Sequence, residues 1–424
     1  MQQRALAVAL IVILASVFTS CRFEPPQEEI ALSLAGPAGG QELDLTVAGI
    51  QRFMAQNPGV RVDVRPVPNR YDQRLALYNE LLADHSADVD VFQIDVVWVR
   101  EMAEHALDLN SYVSDSELGK HFPVILDNAK ADGKLVGLPW FTDAPVLYYR
   151  TDLLEKYGFQ GPPKTWDELE QMAGKVQEGE RVAGNLGFWG YIWQGGGFEG
   201  LTCNALEWQS SNGGGNFLSS EGQPSMTNPK AEAAFKRAAG WLGSISPPQI
   251  TDWDEEDSRS FWERGDAAFM RNWSYAYSLS KKVPAIADKF SVSRMPRGEG
   301  GSAAVLGGWE LMVSKYSAHP EEAVKLVRFL AGEGEQKHRA IEGSLNPTIQ
   351  SLYSAPEVLS AVPFFKEFDD TLGHVVVRPA AAAGSKYDQV SQAYWTSVHG
   401  VLTGGDLKTE LAQGEEAIRE VLQQ

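Results

Sequence analysis

The pattern that most limits this chain's fold lies in its first third, where strand-like and helix-like runs alternate. Residues 30–34 form a short apolar strand candidate. Residues 45–56 carry Leu45, Ala48 and Phe53 at helical spacing and end at Asn57-Pro58-Gly59, a helix stop. Residues 60–64 alternate with period two, which predicts a strand. Residues 71–83 place Leu75, Tyr78, Leu81 and Leu82 on one helical face. A strand over residues 89–94 ends at Asp95, and a helix is expected over 97–105. This β-α-β-α-β order implies an α/β fold, a mostly parallel sheet with helices on both faces. Ligands of such sheets bind beyond the carboxyl ends of the strands, where Asp95 stands.

The later pattern is less regular. Residues 134–140 lead into a strand-rich stretch over 141–150. Thr165-Trp166-Asp167-Glu168 is a capping box that opens a helix through residue 176. Residues 179–200 are polar and glycine-rich, and a helix is expected over 201–210. Asn228-Pro229 opens another helix toward residue 242, residues 258–264 form one more, and 267–271 read as a strand feeding Asn272-Trp273. Residues 305–314 are strand-like. Residues 320–330 begin with Pro, continue with two Glu and end near Gly332, a helix with its termini marked. The tail from Tyr387 is helical and amphipathic. The 424 residues suffice for two domains of ordinary size.

Arg4, an apolar run over residues 5–18 and Thr19-Ser20-Cys21 fit an export signal over 1–20. The run is shorter than the roughly 20 residues of a spanning helix. Cys21 directly after two small residues matches a bacterial lipobox, in which the thiol is lipidated; an ordinary cleaved signal with a chance cysteine is the alternative. Residues 21–40, rich in Pro and Gly, then serve as a tether and the start of the first strand. An exported chain with one remaining thiol has no internal disulfide and must rest on its packed core. Cys203 lies in an apolar helical stretch and reads as a small buried hydrophobe. The net charge of −19 argues against a nucleic-acid partner. The seven His are scattered without metal-ligand spacing, so neither metal nor cofactor is expected. Gly195 to Gly200 matches G-x-G-x-x-G in form only, since no plain apolar strand precedes it.

Twelve tryptophans stand out, several beside glycine: Trp189, Trp193 and Trp309. Tryptophans in that setting tend to lie on loops, offering a flat face to a ligand. Asp95 and Asp143 each follow a strand-like run. Three readings of them stay open: a glycosidase acid/base pair, hydroxyl acceptors in a binding cleft, or helix caps.

Five segments carry a family likeness: Gly137 to Asp143, Leu147 to Leu154, Pro162 to Leu169, Asn185 to Gln194, and Leu306-Gly307-Gly308-Trp309. Together they resemble the sugar-binding proteins of bacterial and archaeal ABC importers (family 1 solute-binding proteins), and the chain is most similar to the trehalose/maltose-binding branch. The likeness runs from about residue 30 to the C-terminus. It implies a two-lobed periplasmic-binding-protein fold with crossing strands and the ligand in the interlobe cleft. The expected lobes are residues 41–143 with 305–340, and 144–304 with 341–424. The family's ligand-binding positions fall on Arg74, Asp95, Phe141, Asp143, Trp273, Tyr275, Gly307, Gly308, Trp309 and Arg378, with a first-loop acid at Glu42 or Asp44. Pro145 and the hydroxyl-free Phe141 depart from the family pattern and bear on which sugar binds. The resemblance implies a monomeric extracytoplasmic lipoprotein with no enzymatic step and no cofactor. Its partners would be a disaccharide or α-glucoside (trehalose, maltose, sucrose or glucosylglycerol), ABC transporter permease subunits, and the membrane through the N-terminal lipid. A glycoside hydrolase using Asp95 and Asp143, or a binder of a non-sugar solute, are the alternatives.

Overall fold

The computed structural model describes residues 29–37, 39–68, 70–367, 372 and 375–424. The expected signal, Cys21 and residues 22–28 of the tether lie outside them. In chain order the main strands are β1 (Ile30–Gly36), β2 (Val60–Pro66), β3 (Val91–Asp95), β4 (Leu138–Asp143), β5 (Val146–Arg150), β6 (Trp189–Ile192), β7 (Ala267–Asn272), β8 (Phe290–Ser293) and β9 (Gly307–Val313). They form two sheets, ordered β2-β1-β3-β9-β4 and β8-β5-β7-β6. β1 pairs in parallel with β2 and β3, while β9 runs antiparallel to β3 and β4. In the second sheet β5 is reversed against β8 and β7, and β6 runs parallel to β7. Each sheet is therefore mostly parallel in direction, with one reversed strand.

Both faces of the first sheet are covered, as its hydrophobic pattern requires. Neighbouring residues point to opposite faces of a strand. Leu34 and Val91 accordingly join a core with Ile50, Phe53 and Val327, under the helices Gly40–Gln56 and Pro320–Leu330. Ala35 and Phe92 face the other way, onto Leu75, Tyr78 and Leu82 of the helix Tyr71–Ala83. Fully burying each such side chain is worth roughly 1.5–3 kcal/mol.

The chain steps from one sheet to the other between β4 and β5, across only Ala144 and Pro145. Pro at a strand entry costs no ladder hydrogen bond. A second crossing leads from β8 into β9, and there Leu306 N donates to Val376 O at 2.9 Å and Val376 N to Ala304 O at 2.8 Å. The paired segments around 304–306 and 376 form the joint between the halves. Residues beyond 340 still belong with the first sheet: Thr142 N donates to Asn346 O at 2.9 Å, and Gln350 N to Lys120 O at 3.0 Å. Those bonds extend the first half past the division expected at 340.

Several local expectations change. The helix over 97–105 is reduced to Val99–Met102, because Trp98 N turns back to Asp95 O and Leu107 N leaves to pair with Val313 O. The glycine-rich stretch 179–200 holds the end of helix Trp166–Val182 and all of β6. Thr165 caps that helix through Glu168 N, but Glu168 reaches back to Lys164 N, so the box is not reciprocal. The helix over 258–264 starts earlier, at Glu255, under an Asp254–Asp257 capping box. The tail divides into Tyr387–Leu402 and Leu407–Gln423. Trp193 is not on a loop face; it is fully buried against Trp208, 4.9 Å between ring centroids, with Nε1 donating to Ser246.

Candidate functional site

β9 starts beside the end of β3, with Asp95 opposite Trp309 in the ladder. Asp95 Oδ1 accepts Val97 N–H at 3.1 Å and Arg378 Nη2 at 2.9 Å. It closes a local turn and is an ion-pair partner, and it does not cap the helix Val99–Met102, whose N-cap is Trp98. The other arm of Arg378 donates to Glu199 Oε1 at 2.7 Å. Glu199 opens the helix Glu199–Ser211 and also accepts from Tyr387 Oη at 2.6 Å and from Ser391. Arg378 is 3 % exposed, so this chain of charges is shielded from solvent. Burial pushes the Glu199 carboxyl up, against the pull of Arg378 and its three hydrogen bonds. Asp95 stands on the first sheet; Glu199, Tyr387 and Ser391 stand on helices of the second half.

An aromatic group flanks this bridge. The Arg74 guanidinium lies 4.7 Å over the Trp309 ring, and Trp98 meets Trp309 edge-on at 5.9 Å. Trp98 stacks obliquely on Tyr71 at 4.8 Å and donates Nε1 to its hydroxyl. Burial, with Glu199 and Asp95 nearby, raises the Tyr71 hydroxyl well above its ordinary value. Arg74 is anchored by Nε to Pro68 O at 3.2 Å, while its buried Nη1 has no partner.

The end of β4 supplies the third side. Asp143 pairs with Gly307, and Gly308 with Thr142. Gly308 has φ +124°, and a Cβ there would stand 2.6 Å from Phe141 O. A Cβ on Gly307 would lie 3.4 Å from the Trp273 ring. Trp273 follows β7, so Gly307 leaves room for a tryptophan of the second half against the first sheet, while Gly308 lets β9 approach the β4 backbone. Its position is fixed from beneath. The Arg271 guanidinium lies 4.0 Å from the ring, and Trp273 Nε1 donates to Glu255 Oε1 at 3.2 Å. Arg271 pairs with Glu207, both at 0 % side-chain exposure, and donates to Gln194 Oε1 at 3.0 Å. Tyr275, next along, donates to Glu256 Oε1 at 2.6 Å.

Eight of the expected positions are neighbours through these contacts and ladder pairs: Arg74, Asp95, Asp143, Trp273, Gly307, Gly308, Trp309 and Arg378; Tyr275 follows Trp273 and is tied to Glu256. Phe141 lies beneath, packed with Trp140 in the first core and covered at 5.0 Å by Arg339. The two acids expected on the first loop lie instead in the first turns of the helix Gly40–Gln56, where Glu42 turns inward and accepts Gln93 Nε2 at 2.7 Å, whereas Asp44 is exposed. One helical turn separates facing residues, and Asp44 at two residues on lies on the far side. Glu199, Glu255, Arg271, Tyr71 and Tyr387 complete the surroundings without a motif that marks them. Only the position of Glu199, at the start of a helix after a glycine run, is visible in the sequence. Cys203 is buried and free, and burial pushes its thiol up, away from reactivity. Among the described residues no group of three or more His, Cys, Asp or Glu is placed to hold a metal ion.

The arrangement brings charged side chains and aromatic rings of the two halves together at the ends of β3 and β4 and the start of β9. Four buried atoms of this cluster have no protein partner: Arg74 Nη1, Gln93 Oε1, Asp143 Oδ1 and Arg378 Nε.

Residues 39–337 match the family model of bacterial extracellular solute-binding proteins. The chain is 47 % identical over 376 residues to a probable ABC transporter-binding protein of Deinococcus radiodurans, covering 88 % of this chain and 89 % of that one. It superimposes on the maltose-bound MalE3 of T. maritima with TM-score 0.86 and 34 % identity, covering 92 % of this chain and 99 % of the other. A Thermotoga lettingae solute-binding protein with bound α-D-tagatose gives TM-score 0.82 at 23 % identity, covering 93 % and 100 %, a likeness of fold.

Proposed function

The chain belongs to the bacterial extracellular solute-binding proteins, and from that premise we propose that it captures a disaccharide or α-glucoside between its lobes and delivers it unchanged to an ABC permease. What supports this reading is that Asp95, Asp143 and Trp309 stand on neighbouring strand ends of the first sheet, where Arg378 pairs with Asp95 and Trp273 of the second half lies beside Gly307. Sugars carry hydroxyls on their edges and C–H groups on their faces. Ionised side chains suit the former through strong hydrogen bonds, and tryptophan rings suit the latter. A guest that touches both lobes stabilises the closed form over the open one and so drives hinge closure; periplasmic binding proteins are a standard case of that motion. The 34 % identity to a maltose-bound structure supports an α-glucoside. Trehalose, maltose, sucrose and glucosylglycerol are the candidates. Export and lipidation at Cys21 would hold the protein at the outer face of the membrane beside its permease.

A calorimetric panel of the four sugars, with free glucose assayed in the same samples, tests this reading. Heat of binding without glucose is expected from at least one. Glucose release at enzymatic rates would replace the reading with hydrolysis by Asp95 and Asp143. No heat and no tryptophan fluorescence change with any of the four would leave a non-sugar solute.

A further inference from the structure

Arg378 spans the two halves. Its backbone is tied to the second half, where Asn216 Nδ2 donates to Val377 O at 2.9 Å, one residue before it. Its side chain reaches the first sheet, where Nη2 donates to Asp95 Oδ1 at 2.9 Å. Holding a long arginine side chain in one rotamer costs conformational entropy, so such a reach needs a support on its own side. Glu199 supplies it. Glu199 Oε1 accepts Arg378 Nη1 at 2.7 Å and Tyr387 Oη at 2.6 Å, and Oε2 accepts Ser391 Oγ. Tyr387 and Ser391 lie one turn apart on the helix Tyr387–Leu402 and therefore share a face. Thr202, a turn on from Glu199 in its own helix, bonds Ser391 at 2.7 Å. Two helices of the second half thus fix one carboxylate, and all of these side chains are buried. Both Nη arms of Arg378 are engaged, while its buried Nε has no protein partner.

We propose that Glu199 is a positioning residue for sugar capture, holding Arg378 so that lobe closure brings one arm to Asp95 and leaves Nε as a donor for a sugar oxygen. The inference rests on the disaccharide reading above and adds to it a residue that does not itself meet the guest. The guanidinium is a rigid planar fork, so its five N–H donors swing together. Without the carboxylate beneath Nη1, the arm at Asp95 and the free Nε are displaced at once. The influence of Glu199 on affinity then passes wholly through Arg378. A merely structural ion pair behaves differently, since its loss lowers the stability of the fold and leaves the affinity of the folded chain unchanged.

The test is a double-mutant cycle read by calorimetry on the full chain, with maltose, trehalose, sucrose and glucosylglycerol as probes. Glu199→Gln and Arg378→Met should each weaken binding of the responding sugar by about tenfold or more. The double variant should bind no more weakly than Arg378→Met alone, because residues that act as one unit are not additive. Wild-type affinity in Glu199→Gln overturns the proposal and leaves the sugar reading intact, as do losses that simply add. Absence of heat with all four sugars in the wild type ends both readings. Should Glu199→Gln fail to fold, or Arg378→Met bind too weakly to measure, Tyr387→Phe with Ser391→Ala decides the matter. That pair keeps both charges and loosens only the carboxylate, so affinity should fall by about threefold or more. A lower urea midpoint with unchanged affinity in that variant assigns Glu199 to the fold alone and refutes the inference.

Discussion

Gly308→Ala is the sharpest single probe of how the fold builds this site. Gly308 sits on β9 between Gly307 and Trp309 with φ +124°. A methyl group there would stand 2.6 Å from both Phe141 O and Thr142 Cα, which are backbone atoms of the neighbouring strand. Backbone cannot swing aside as a side-chain tip can. Holding an L-residue in such a conformation costs on the order of 1–2 kcal/mol, and overpacking a tight contact costs about 1–3 kcal/mol. The expected destabilisation is about 2–5 kcal/mol. The ladder pairs Gly307–Asp143 and Gly308–Thr142 must separate to admit the methyl, so Asp143 and Trp309 are displaced together. Urea unfolding followed by tryptophan fluorescence should show the midpoint fall with the slope unchanged. Maltose affinity should weaken at least tenfold, about 1.4 kcal/mol. A loss of stability below about 1 kcal/mol with wild-type affinity would show that β9 tolerates a side chain here, and that the close approach of β4 does not shape the cleft.

Other expectations are more local. Trp273→Ala and Asp95→Ala should each weaken sugar binding at least tenfold, about 1.4 kcal/mol, without unfolding the chain; unchanged affinity in both, measured by calorimetry, would mean the guest sits elsewhere. Glu207→Ala strands a fully buried Arg271 and should cost about 3–5 kcal/mol, whereas replacing both partners by apolar residues of similar volume should recover most of it; a denaturation cycle over the single and double variants measures this. His121 is buried, donating or accepting at Thr348 Oγ1 at 2.8 Å, and burial lowers its imidazole to about 4. Because the folded chain resists protonation there, stability should be complete above pH 6.5 and be lost as pH falls toward 4, by up to about 3 kcal/mol. His121→Gln should flatten that stretch of the stability–pH curve.

Much of the fold is readable where local chemistry and tertiary need agree. The helices Tyr71–Ala83 and Pro320–Leu330 occupy the residues that their periodicity and end signals mark. β1 to β3 fall where apolar alternation places them, within a few residues. The failures are physical. β6 carries Trp189, Gly190 and Tyr191 in a polar glycine-rich setting, and becomes a strand because β7 offers it a ladder. The glycine beside Trp193 marked a loop, yet that ring fills the core of the second half. Glu333–Gly343 is a helix of mostly polar residues whose Arg339 and Gln336 are buried by its neighbours.

Residue order alone determined that Asp95 and Asp143 end strands, that Gly307-Gly308 precedes Trp309, and that Trp273 follows a strand. Those are local facts, set by backbone periodicity and the conformational freedom of glycine. Which charged and aromatic groups meet was decided only by the folded chain. Arg378 lies 283 residues from Asp95 and yet pairs with it, and Trp273 of the second half comes to lie beside Gly307 of β9. Electrostatic partnership depends on separation through space and on exclusion of water, and neither is written along the sequence.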